Sequence, residues 1–182
     1  RGLLAAKNLT TTVFPEFTMG VSEVREGKAA KIRPKACFNC PIACTFEAEI
    51  TNGPYKGLNV TPGGGGENLE GAAAMIGVSE PGGVYYLNDL YDRLGLDSSA
   101  AGCTLSLLFE CHQRGIISKE DTGGLELTWG NTKAAIALLE KLVHKEGIGR
   151  ILAEGPRKAA EFIGGDAPRL VVHMKGTGIN LH

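Results

Sequence analysis

The sequence predicts a mainly α-helical, multihelical fold with short β segments. Three observations carry that expectation. Between residues 68 and 163, long stretches space their apolar residues at intervals of three and four. Capping residues and glycine stops stand where such helices should begin and end. Strand-like segments are thin: Thr45 to Ile50 and Leu170 to Met174 are the best, both short and bounded by turn residues.

Composition narrows the class. Of 182 residues, 26 are glycine, roughly twice ordinary usage. Nineteen Lys and Arg against 20 Asp and Glu leave a net charge of −1. That balance excludes a nucleic-acid-binding domain driven by bulk positive charge, because neutralising phosphates needs a basic surplus. No apolar run approaches the roughly 20 residues of a membrane span, so no membrane partner is expected. The hydrophobic fraction of 43% is ordinary for a globular domain. The chain begins at Arg1 without a signal-type apolar region, and it stops at His182 inside a segment that reads as packed structure. A piece of a larger, cytoplasmic protein is the expectation.

In chain order, the first feature is a cysteine cluster. Cys37, Cys40 and Cys44 follow C-x2-C-x3-C, a spacing that lets three thiolates converge on one soft metal centre. Pro41 removes a backbone N–H and stiffens the turn after the second cysteine. An iron–sulfur cluster, a zinc knuckle and reduced metal-free thiols all remain open. Zinc, however, would normally want a second close pair of ligands downstream, and none follows. Cys103 and Cys111 read as small buried hydrophobes on a helix. Five cysteines is also an odd count for a closed disulfide framework.

After the strand at Thr45 to Ile50, residues Asn52 to Gly66 form a linker ending in four glycines, Gly63 to Gly66. No Lys-Ser/Thr follows them, so this is not a phosphate-binding P-loop. It is either a flexible surface loop or backbone that approaches a bulky ligand closely. Helices are expected from Asn68 to Val78 and from Val84 to Leu94. A third starts at an Asp97 or Ser98 cap and runs to about Arg114, with Gly115 as stop. A fourth runs from Asn131 or Thr132 to Gly147, with Ala135, Leu138, Leu139, Leu142 and Val143 on one face. A fifth runs from Gly149 to Ile163. The strand Leu170 to Met174 closes the set.

Several of these pieces together resemble one family, the aldehyde ferredoxin oxidoreductases. Cys37-x-x-Cys40-Pro41-Ile42-x-Cys44 looks like that family's cluster loop. Asp92-Arg93-Leu94-Gly95-Leu96-Asp97 is similar to its D-x-x-G-L-D/C pterin-binding pattern. Gly115-Ile116-Ile117, Trp129-Gly130-Asn131, Glu146-Gly147-Ile148-Gly149 and Leu152-Ala153-Glu154-Gly155 follow in familial order. Asn8 near the start and His173-x-Lys175-Gly176 near the end extend the match over nearly the whole chain.

The resemblance implies a helical fragment, 1–182, of the family's second and third domains, without the N-terminal β domain and the C-terminal end. It implies a tungsten (or molybdenum) bis-pterin beside a 4Fe-4S cluster, held here by Cys37, Cys40 and Cys44, with the fourth ligand outside these residues. Asp92, the backbone of Leu96 and Asp97 would meet the pterin, whose ring edge is rich in donors that carboxylates accept. Without the family, Asp97 is an N-cap and Asp92 a solvated charge. Glu70 would be the catalytic base, in a segment Gly66-Glu67-Asn68-Leu69-Glu70 that resembles the family's G-P-E-Y-E. Because the first glutamate is displaced by one position and the proline is missing, Glu67 is a rival. A carboxylate in a closed pocket suits acid–base work near neutrality, since desolvation disfavours its charge. The bland alternative is a glutamate favoured by a helix N-terminus. His173 would donate to the substrate oxygen, and Lys175 would meet the cofactor or its phosphates. Two residues apart on a strand, they would share a face. Taken alone, His173 reads as a satisfied strand residue.

The implied reaction is oxidation of a small aldehyde to a carboxylic acid, with electrons leaving through the cluster to ferredoxin or an iron–sulfur partner subunit. Two alternatives stand beside it: a low-potential reductase of the same family acting on aromatic acyl thioesters, and a non-catalytic iron–sulfur electron-transfer module. Homo-oligomerisation is left open.

Overall fold

The computed structural model describes residues 4–62 and 66–179, with the side chains of Gly66 and Glu67 outside the description. The glycine run at 63–65 therefore lies outside the described residues. Elsewhere the chain forms eight α-helices and one three-stranded antiparallel sheet, the multihelical class that the apolar spacing predicts.

Helix α1 (Pro15–Arg25) opens with proline at its first turn, where the missing N–H costs nothing, and buries Phe17, Gly20 and Val24. Strands β1 (Ala30–Lys35) and β2 (Thr45–Ile50) pair from Ala30 opposite Ile50 to Lys35 opposite Thr45. Strand β3 (Asn59–Val60) pairs with the far edge of β2. Cross-strand ion pairs Lys31–Glu49, Arg33–Glu47 and Lys35–Glu47 hold the register at 3.1–3.4 Å. Each is exposed and screened by solvent, so the pairs guide register more than they stabilise the fold. Beyond Ala30, every residue of β1 is exposed. The hairpin carries the 36–44 cysteine loop at its tip, while Phe46 on the β2 side packs against the buried Tyr85.

Helix α2 (Gly66–Ala72) is followed by a tighter 3-10 turn, Ala74–Ile76, ended by Gly77 at φ +75°. The expected helix Asn68 to Val78 is thus shorter and changes its winding at Ala73. Helix α3 (Pro81–Arg93) starts three residues before the expected Val84. Pro81 takes the first helical position, and the Glu80 carboxylate accepts from Gly82 N at 3.1 Å and Gly83 N at 2.5 Å. A capped start of this kind absorbs two glycines that propensity alone would keep out of a helix.

Helix α4 (Ser98–Gln113) is the central element, buried along most of its length. It begins at the expected Asp97 cap, whose Oδ1 accepts from Ala100 N at 2.6 Å, and Gly115 follows at φ +69°. Cys103 and Cys111 are fully buried on it as free thiols. Helix α5 (Thr132–His144) is capped by Asn131 and buries Ala135, Leu138, Leu139 and Leu142. It stops at Lys145, in the left-handed region, three residues after Leu142 and before the expected Gly147.

Two expectations need correction. The single helix from Gly149 to Ile163 is two helices, α6 (Gly149–Leu152) and α7 (Pro156–Ile163). Gly155 at φ +92° turns the chain and Pro156 cannot donate back, so the helix cannot run through. The strand Leu170 to Met174 does not form: α8 (Ala167–Leu170) occupies its first residue. Val171 is extended, as its β-branch favours, but no strand lies alongside among the described residues. Instead Met174 and Thr177 exchange two backbone bonds, 2.8 and 3.1 Å, around Lys175 (φ 53°) and Gly176 (φ 97°). Positive φ at both central positions is the signature of a type I′ turn.

Candidate cofactor site

Three segments that carry predicted site residues meet on the first turns of α4. Helix α2, bearing Glu70, crosses α4 so closely that only glycine fits at the crossing. A Cβ at Gly71 would lie 2.7 Å from the Ser98 carbonyl oxygen, and one at Gly102 would overlap the Gly71 carbonyl. The turn after His173 arrives at the same place, where a Cβ at Gly178 would lie 2.6 Å from Ala100 Cα. Asp97 itself begins α4.

Beside this junction opens a cavity of about 260 Å³. Leu96 and Asp97 line one side, Ala153 to Pro156 a second, and Gly176 to Gly178 a third. Its size is at the small end for a ligand pocket, enough for a flat ring and not for a whole two-pterin cofactor. The chemistry of its lining fits such a ring edge. One oxygen of Asp97 caps α4 and the other is free of that task, while backbone groups of two glycine-containing turns stand opposite. The Ala153 to Pro156 wall had no assigned role in the sequence, although its Leu-Ala-Glu-Gly motif stood there in order.

The remaining predicted residues are placed as follows. Leu96 is half-buried, and Asp92 is exposed at the end of α3. Glu70 is half-buried on α2, with its Oε2 shielded from solvent. His173 is half-buried, and its Nδ1 accepts from the Gly176 N–H at 3.3 Å. In the neutral imidazole the proton then sits on Nε2, so the outward nitrogen is a donor. Lys175 is exposed at the tip of the I′ turn. The expected shared strand face of His173 and Lys175 is therefore replaced by a turn in which Gly176 serves His173.

The cysteines stand apart from this cavity's lining. Cys37 and Cys44 are exposed and Cys40 half-buried, all three as free thiols. Cys40 N donates to Cys37 O at 3.0 Å, and Asn39 (φ 58°) and Ala43 (φ 49°) take left-handed conformations that coil the loop. The donor set, three thiols on nine residues, fits an iron–sulfur centre chemically. Among the described residues, however, no three His, Cys, Asp or Glu side chains are gathered closely enough to hold a metal. Phe38 and Ile42 on the same loop are exposed as well.

A multihelical body, a thiol-bearing hairpin and an acid-capped cavity together fit one part of a cofactor-binding protein. More particularly, the chain belongs to the aldehyde ferredoxin oxidoreductase family: the family model for its domains 2 and 3 matches residues 1–182. The chain is 40% identical over 151 residues to the aliphatic sulfonate oxidoreductase, WOR-like subunit, of Pyrococcus furiosus, covering 81% of this chain and 24% of that protein. It is 33% identical over 166 residues to the tungsten-containing aldehyde ferredoxin oxidoreductase of the same organism, covering 90% and 26%. Among solved structures, it is similar to the active-site complex BamBC of benzoyl coenzyme A reductase bound to 1,5-dienoyl-CoA. The TM-score there is 0.67 at 25% identity, over 92% of this chain and 24% of the other. The chain thus spans about a quarter of the length of the relatives it matches.

Proposed function

We propose that the whole protein oxidises an aldehyde to a carboxylic acid, and that this chain supplies the helical part of its active site. The observation that carries the reading is the junction on α4, where the elements bearing Glu70, Leu96–Asp97 and His173–Lys175 rest on one turn. A tungsten (or molybdenum) bis-pterin supplies the two-electron chemistry when bound, with a 4Fe-4S cluster leading outward to a ferredoxin or an iron–sulfur partner subunit. Tungsten is supported by the names of the relatives.

The chain's own residues bind, orient and move protons. Asp92, Asp97 and the Leu96 backbone would accept hydrogen bonds from the pterin edge, and Lys175 would offer its ammonium to the cofactor's anionic end. Cys37, Cys40 and Cys44 would supply three of the cluster's ligands, with the fourth coming from elsewhere in the polypeptide. His173 Nε2–H donates to the aldehyde oxygen, held in the donor tautomer by Gly176. Glu70 takes a proton from the attacking water. The overall balance is aldehyde plus water giving acid, two electrons and two protons. Three free thiols on an exposed loop fit a reducing compartment, so the cytoplasm is the proposed location.

A second reading, an aliphatic sulfonate as substrate, is favoured by the higher identity to the sulfonate oxidoreductase subunit. A panel of aldehydes, aliphatic sulfonates and aromatic acyl thioesters offered to the full-length holoenzyme decides between them. In that enzyme Glu70→Gln is expected to lower kcat by about 10²-fold or more with tungsten and iron content intact. Unchanged turnover moves the base to Glu67 or ends the assignment. Iron without tungsten or molybdenum sinks the enzyme reading in favour of an electron-transfer module.

A further inference from the structure

A buried carboxylate outside the predicted site ties the entry to the glycine run to the helix of the pterin motif. Asp89, on α3, is only 4% exposed. Its Oδ1 accepts from the backbone N–H of Thr61 at 2.8 Å, and its Oδ2 pairs with Arg93 Nε at 2.7 Å, one turn further along the helix. Arg93 belongs to the Asp92–Asp97 motif, and its Nη2 also reaches the Asn59 carbonyl at 3.4 Å. Thr61 is the last residue but one before the glycine run that leads into α2 and Glu70. The next residue, Pro62, accepts through its carbonyl from the hydroxyl of Thr45, the residue that follows Cys44. One carboxylate therefore anchors the entry to the glycine run onto the helix of the pterin motif, and the base of the cysteine loop leans on the same entry.

A buried charge is costly unless it is paired and hydrogen-bonded, and helix packing alone would be served as well by an apolar residue. Asp89 has a hydrogen bond on Oδ1 and an ion pair, without a hydrogen bond, on Oδ2, and both partners lead toward segments of the candidate site. Its neighbour Asn88, equally buried, has none among the described residues, so burial of polar groups on this face of α3 does not by itself recruit Thr61.

We infer that Asp89 is a positioning residue, fixing the entry to the Glu70-bearing segment, and with it the base of the cysteine loop, relative to the pterin-motif helix. The inference rests on the proposed role of Glu70, and its test separates the two. In the full-length holoenzyme, Asp89→Asn keeps the shape and an acceptor for Thr61 but loses the charge facing Arg93. Misplacement of a catalytic group by about 1 Å costs up to roughly 10²-fold. The expected result is a kcat 10- to 100-fold lower with KM within about twofold, and tungsten and iron content unchanged. Arg93→Met, at an exposed side chain where folding tolerates change more readily, is expected to move kcat in the same direction by less. Hydrogen exchange at the Thr61 amide, read on the same samples, is expected to quicken about tenfold in Asp89→Asn. Wild-type exchange at Thr61, or wild-type kcat in both variants while Glu70→Gln is inactive, overturns the inference. Loss of kcat together with metal and melting temperature also overturns it, as a folding role. If Glu70→Gln keeps full turnover, the base assignment fails instead, and the Thr61 amide alone decides whether Asp89 is the anchor.

Discussion

Tyr91 shows what a single side chain reveals about this protein. It is fully buried, its hydroxyl has no hydrogen-bond partner among the described residues, and burial pushes its ionisation well above the usual phenol range. A buried hydroxyl left unpaired costs about 1–3 kcal/mol, whereas removing it leaves the ring's packing intact. Tyr91→Phe is therefore expected to stabilise the fold by about 1 kcal/mol in urea unfolding, and a loss of stability would mean that the hydroxyl has a partner. Residue-level features of this kind were only half legible in the sequence. The Asp97 cap was readable because a cap's partner is its own next turn. Asp89 was not, because its partner Thr61 lies 28 residues away and nothing local marks it. The tautomer of His173 was equally hidden, since it depends on a turn that the two valines before it argued against.

Between elements, the α2–α4 crossing is the tightest contact around the site. Gly102 on α4 faces the Gly71 carbonyl, and no side chain fits there. Gly102→Ala must push the helices apart, and overpacking of this kind costs about 1–3 kcal/mol. The upper end is expected, read as a lowered melting temperature together with weakened cofactor retention. Neither helix's period could announce that contact, because apolar spacing gives a helix its inward face and not its distance from a neighbour. Helices α4 and α5 were legible from caps and spacing. The break between α6 and α7 was written in Gly155-Pro156 but outweighed by the apolar spacing on either side. The strand at Leu170–Met174 failed for a different reason: extended propensity makes a strand only where another strand is free to pair. The cysteine hairpin was half seen, as β2 without the charged β1 that pairs with it.

At the scale of the whole molecule, the buried acids set an alkaline limit. Burial pushes the Cys111 thiol up to about 11 from an ordinary 9.0, and Cys103 and Tyr91 rise for the same reason. Below about pH 9 the thiol is neutral in both folded and unfolded chains, so its burial is uncontested. As pH rises further, the unfolded chain ionises first, and the folded state loses that advantage until the buried thiol also gives up its proton. Denaturant midpoints are thus expected to fall between pH 9 and 11, and Cys111→Ala should flatten part of that slope. The crossing of α2 on α4 has one more consequence, for how this chain can change length. A residue added at the exposed turn tips around 56–57 or 123–124 lengthens a loop and leaves the packed Tyr55 and Thr122 beside it in place. A residue added between Asp97 and Gly102 would swing Gly102 about 100° around its axis, off the neighbouring carbonyl. Insertions in homologues and in engineered forms should accordingly crowd into the former stretches and be missing from the latter.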